Sequence, residues 1–90
     1  MSHLVQDSAR LSNRLKRLKG QVAGLERSLA EGSECIAVLT QIAAIRGAAQ
    51  SMLMEVLEAH MREHVARQGD AKTRDDEVTE IAAVLRSYLK

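Results

Sequence analysis

SECIAVLTQIAAIRGAAQSMLMEVLEAHMREHVARQ, residues 33–68, decides the fold of this 90-residue chain. The stretch has no proline and one interior glycine, Gly47. Ile36, Leu39, Ile42, Ala43, Ile45, Ala49, Met52, Leu53, Val56, Leu57 and Met61 recur at helical intervals, which predicts a broad apolar stripe along one long amphipathic helix. Ser33 suits the N-cap, and Gly69 suits the position beyond the last turn. The one cysteine, Cys35, falls in the first turn. Two of the three histidines, His60 and His64, fall in the last turns.

That placement has a geometric consequence. Cys35 and His60 are about 37 Å apart along a continuous helix rising 1.5 Å per residue, so one ion cannot touch both within a chain. In an antiparallel pair of the same helix, facing residues have a constant sum of positions. The sum is 95 for Cys35 with His60 and 99 for Cys35 with His64, so the crossing falls at Gly47-Ala48-Ala49. Small residues there let two helices approach closely. A two-fold dimer built this way has two identical sites, each combining Cys35 of one chain with the partner's His60 and His64. The two histidines are four positions apart and share a helix face.

The remainder of the chain supports an all-α reading. There is no Phe, Trp or Pro, and Tyr88 is the single aromatic residue. Ninety residues make one domain, 1–90, with helices expected over roughly 7–31, 34–68 and 75–89. A chain this short buries a thin core and gains stability by oligomerising. No unbroken apolar run reaches the roughly 18 residues of a membrane span. MSHLVQDSAR has no signal-peptide pattern. One unpaired cysteine suits a reducing compartment. The expectation is a cytoplasmic protein with no membrane partner.

Net charge is only +1, yet its distribution is uneven. Residues 1–30 hold six bases (Arg10, Arg14, Lys16, Arg17, Lys19, Arg27) against two acids (Asp7, Glu26). In the same helix Leu11, Leu15, Leu18, Val22, Leu25 and Leu29 form a heptad seam for packing on another helix. Arg10, Arg14 and Arg17 repeat on a different face, with Lys16 and Lys19 nearby. Charge runs are usually solvated faces, but no acid between Arg10 and Lys19 offsets these, which points to an anionic partner such as nucleic acid. Arg46, set among small apolar residues, needs a partner or a path to solvent.

EGSE, residues 31–34, reads as the turn before Cys35. A helix N-terminus favours the thiolate, which suits a ligand or nucleophile; a small buried hydrophobe is the commoner fate of a lone cysteine. The methionines Met52, Met54 and Met61 read as core filler. GDAKTRDD, residues 69–76, is a polar connector in which Thr73 and Asp76 resemble a capping box. Val78, Ile81, Ala82, Leu85, Tyr88 and Leu89 then share one face of a third helix. At the other terminus, removal of Met1 would expose the amine of Ser2 beside His3, a pair that can chelate a metal; alone, His3 reads as a solvated terminal residue.

RLKRLKGQVAGLERSL, ECIAVLTQIAAIRGAAQ, EVLEAHMREH and the closing SYLK together resemble the CsoR/RcnR/FrmR family of small helical transcriptional repressors, over almost the whole chain. The resemblance implies a three-helix protomer, an antiparallel four-helix-bundle dimer, usually paired again into a tetramer, and release from operator DNA when an effector binds. The copper(I) branch uses two cysteines and a histidine, whereas this chain has one cysteine and has His64 in a second ligand position, which disfavours copper(I). The nickel/cobalt branch is matched by the Ser2 amine, His3, Cys35, His60 and His64, with Glu63 as a further oxygen donor. Six mixed donors favour octahedral nickel(II) or cobalt(II) over tetrahedral zinc(II), although a zinc-responsive member stays open. The residues resembling the family's DNA-contacting set are Arg14, Arg17 and Arg46, with Arg10, Lys16, Lys19 and Lys90 beside them. Phosphate contacts and shape readout are expected, with steep salt dependence.

The favoured function is a repressor released by nickel(II) or cobalt(II), derepressing metal efflux or detoxification genes. One alternative is a formaldehyde-responsive repressor acting through Cys35 and the Ser2 amine; another is a metal-storing or scaffold bundle that does not bind DNA. No acid/base pair or nucleophile–base–orienter set marks an enzyme, so no catalytic residues are assigned.

Overall fold

The computed structural model describes residues 8–88, among which there are three α-helices and no strand. Helix α1 spans Ser8–Ala30 and α2 spans Cys35–Met61; α2 runs on into a single π-helical turn, Arg62–Ala66; α3 spans Ala71–Tyr88. Ser2, His3 and Lys90 lie outside the described residues.

α1 and α2 form an antiparallel hairpin. Their turn ends α1 with a Schellman motif: Ser33 N–H donates to Ser28 C=O at 3.0 Å and Gly32 N–H to Leu29 C=O at 3.3 Å. Gly32 sits at φ +72°, the left-handed conformation this motif requires. The turn orients the hairpin so that Arg10 and Arg14 reach across to Glu55. α3 then folds back along the far end of α2, where Leu53, Leu57 and His60 share a groove with Glu80, Ile81 and Val84.

The result is a slab measuring 55 × 30 × 13 Å, little thicker than one helix. Its radius of gyration is 17.2 Å, against about 12 Å for a compact domain of this length. No hydrophobic side chain among the described residues is buried. Leu29, Ile36 and Leu39 on the hairpin are all more than half exposed. Among the described residues a single copy therefore has seams but no core.

Several sequence expectations change. The apolar residues of α2 are spread around much of its circumference rather than gathered in one stripe, the pattern of a helix covered on several sides. By the same token, Cys35–Ala66 is long and apolar enough to cross a membrane by length and composition, with mean hydropathy 1.3 over an 18-residue window. The expectation from unbroken runs missed this because isolated polar residues interrupt the run without lowering the average much. A helix that packs against others on several sides passes the same test.

The caps also differ. Glu34, not Ser33, is the N-cap of α2; it makes no side-chain cap hydrogen bond. The left-handed glycine is Gly32 rather than Gly69, because α2 ends in the π-turn, closed by Arg67 N–H on Arg62 C=O at 3.0 Å. Helix α3 starts at Ala71 rather than near 75 because Asp70 caps it. Its carboxylate accepts from Thr73 N–H at 2.9 Å and from Thr73 Oγ1–H at 2.6 Å. These hydrogen bonds, side-chain first, hold the Asp70 carboxyl below its ordinary value, with Arg74 adding attraction. Asp76 meanwhile pairs with Lys72 at 3.1 Å and plays no part in the cap.

Candidate metal site and nucleic-acid interface

The α2 rod carries its thiol and its imidazoles at opposite ends. Cys35 is the first residue of the helix and is an exposed, free thiol. Its helix runs without interruption to His60 and on through the π-turn that holds Glu63 and His64. The His60 and His64 rings meet with centroids 4.4 Å apart and planes tilted by 37°. Both side chains are half-buried, as is Glu63. Among the described residues, no three His, Cys, Asp or Glu side chains converge within one chain.

One further group joins the histidines. Glu77, on α3, places Oε2 2.8 Å from His60 Nε2. A carboxylate only accepts, so a neutral His60 ring carries its proton on Nε2 in this contact. A carboxylate behind an imidazole fixes ring orientation and raises basicity, as second partners of metal-bound histidines commonly do. Two adjacent imidazoles, one backed by a carboxylate, are donors of the kind a borderline divalent ion takes, and the exposed thiol of Cys35 lies at the opposite end of the same helix. Sequence reasoning missed Glu77 because it lies 17 positions from His60 on a different helix.

The basic face has a similar surprise. Glu55 on α2 holds two of its members. Arg14 donates from Nη1 to Glu55 Oε2 and from Nη2 to Ser51 Oγ at 2.7 Å. Arg10 Nε lies 3.0 Å from Glu55 Oε1. That contact lacks hydrogen-bond alignment, so Oε1 is shielded from solvent and neutralised only ionically. The acid missing from α1 comes from 41 positions away. Lys16, Arg17 and Lys19 are exposed and form no ion pair among the described residues. Arg46 is exposed on α2, which gives its charge the path to solvent it needs. Arg14, Arg17, Gln21 and Ser51 line an open cleft of about 530 Å³ between α1 and α2.

Comparison with known proteins agrees with this anatomy. The family model described as "Metal-sensitive transcriptional repressor" matches residues 7–87. The transcriptional repressor RcnR of Salmonella arizonae is 44% identical over the full length of both chains, and that of Escherichia coli K12 is 43% identical over the same extent. Among solved structures, a variant of the formaldehyde-responsive regulator FrmR from Salmonella enterica serovar Typhimurium aligns at TM-score 0.82 and 39% identity, covering 96% of this chain and 98% of that one. The copper-sensing repressor CsoR with Cu(I) from Geobacillus thermodenitrificans aligns at TM-score 0.89 and 28% identity, covering 100% of this chain and 94% of that one. With three helices in the same arrangement and a match along nearly all of its length, the chain belongs to the metal-sensitive transcriptional repressor family that includes RcnR, CsoR and FrmR.

Proposed function

We propose that this repressor responds to nickel(II) or cobalt(II), with zinc(II) as a competing ion, and that it acts in the cytoplasm on genes for metal efflux or detoxification. The observation that carries the reading is the His60–His64 pair at one end of an unbroken helix whose other end presents Cys35. Two copies packed antiparallel bring Cys35 of one chain to the partner's His60 and His64. Glu63 and, from the N-terminal tail, the Ser2 amine and His3 complete a set of up to six donors. Such a set, with one thiolate and two imidazoles, suits nickel(II) or cobalt(II) better than copper(I). The absence of a core in one copy supports the dimer, and further pairing of the apolar slab supports a tetramer.

Operator binding runs through Arg10, Arg14, Lys16, Arg17, Lys19, Arg46 and Lys90 against phosphate. Loading the site ties α2 of one chain to the tail and α1 of another. That link favours an arrangement of the basic faces with lower DNA affinity, a coupling of roughly 1–3 kcal/mol. The test titrates nickel(II) into operator-bound wild type and Cys35→Ala. Wild type leaves the operator; Cys35→Ala stays bound. Normal release of Cys35→Ala would show that the thiol is not a ligand.

A second reading keeps the DNA face and makes formaldehyde the signal, joining the Cys35 thiol to the Ser2 amine. The exposure of Cys35 favours it, together with the likeness to FrmR. Intact mass after formaldehyde treatment separates the two: a methylene bridge of Cys35 to the Ser2 amine supports the aldehyde, and its absence supports the metal.

A further inference from the structure

The two arginines that open the basic face are held by the helix that carries the sensing histidines. Glu55 lies five positions before His60 on α2, and its side chain is only 18% exposed. One of its oxygens takes Arg14; the other is closed off from water beside Arg10 with no hydrogen bond of its own. Ser51 takes the second arm of the Arg14 fork. The paired face of the Arg14 guanidinium, the one suited to a phosphate, is therefore spent on α2. Arg10 is 72% exposed, and among the described residues only its Nε is engaged.

We propose that Glu55 is an internal competitor for operator phosphate: a carboxylate that occupies Arg10 and Arg14 when the protein is off DNA and must be displaced for both to reach the backbone. The proposal rests on the reading of α1 as the DNA-contacting helix. Its sign follows from burial. A carboxylate that merely oriented the arginines would be fully hydrogen-bonded and stay in place. Glu55 is instead a shielded acid whose only compensation is the cations themselves, so transferring them to phosphate leaves its charge exposed to repulsion from the DNA. Because Glu55 and His60 share one rigid helix, a shift of α2 changes how firmly the arginines are held, without any contact between ion and DNA.

The experiment measures operator binding of the full-length apo protein from 50 to 200 mM salt for wild type, Glu55→Gln, Arg14→Ala and the double variant. Glu55→Gln keeps the side-chain shape and removes the charge. It is expected to bind more tightly than wild type at 50 mM salt and to gain up to one effective phosphate contact, seen as an additional fall of about 3.5-fold in affinity across the fourfold salt range. Arg14→Ala is expected to weaken binding, and the double variant to lose most of the gain. Unchanged or weaker binding by Glu55→Gln with an unaltered salt slope, alongside weakened Arg14→Ala, overturns the competitor and leaves the DNA face standing. Wild-type binding by Arg14→Ala overturns both. Should Glu55→Gln fail to fold, Glu55→Asp takes its place: the shorter reach loosens the clamp and predicts tighter binding, and equal or weaker binding overturns the proposal.

Discussion

Replacing Ile42 by alanine tests whether the exposed side of α2 is an interface between copies. Ile42 is 48% exposed in one chain. In the antiparallel register set by Cys35 with the partner's His60 and His64, it falls opposite residues 53–57 of the second copy, a segment containing Leu53, Val56 and Leu57. The substitution removes three carbons, each worth about 0.8 kcal/mol on full burial. Roughly half of that remains to be gained on association, about 1.2 kcal/mol per chain. Two-fold symmetry counts it twice, giving about 2.4 kcal/mol per dimer, or about 50-fold in the association constant, since 1.4 kcal/mol is tenfold. Any cavity left behind adds to the loss. Sedimentation equilibrium across a dilution series reads the constant directly, and helicity followed over the same series shows whether monomers stay folded. Association of Ile42→Ala equal to wild type would refute the register. A wild-type chain that stays monomeric and fully helical would refute the interface altogether.

Three further outcomes are expected. Gly32→Ala places a Cβ in open space but at φ +72°, so strain alone acts; about 1–2 kcal/mol is lost, lowering Tm by roughly 5–10 °C, which a melt by circular dichroism measures. Asp70 has a folded-state pKa below its ordinary 3.8, so its cap contributes stability above that value and loses it as pH falls through the lowered one; helicity of wild type should drop there, whereas Asp70→Asn, which caps without titrating, should not show that step. Glu77→Gln leaves a hydrogen-bond partner for His60 but a weaker one, and nickel affinity measured by competition with a chelator should fall by about tenfold or more.

The sequence carried the local structure well and the long-range pairings poorly. Helical periodicity with no proline made the α2 rod legible, and the heptad seam from Leu11 to Leu29 announced the hairpin partner. The adjacency of His60 and His64 followed from spacing alone. Glu55 and Glu77 were not legible, because each meets its partner across a helix–helix contact with no fixed spacing in the chain. The unpaired look of the α1 bases came from reading that helix by itself. Caps failed for a different reason: Ser33, Glu34, Gly69 and Asp70 are all acceptable in their places, and only the backbone path decides among them. The π-turn at Arg62–Ala66 has no periodic signature that separates it from the α-helix before it.

The claim on which the function depends is that each sensing site draws its thiol from one chain and its imidazoles from another. Mixed dimers of Cys35→Ala chains with His60→Ala/His64→Ala chains test it most directly, with nickel(II) stoichiometry as the readout. Each parent alone should bind no tight nickel, and the mixed dimer should recover one tight site, formed by the surviving Cys35 and the surviving histidine pair. A mixed dimer with no tight site would contradict the account, because ligands confined to one chain cannot be rescued by a second.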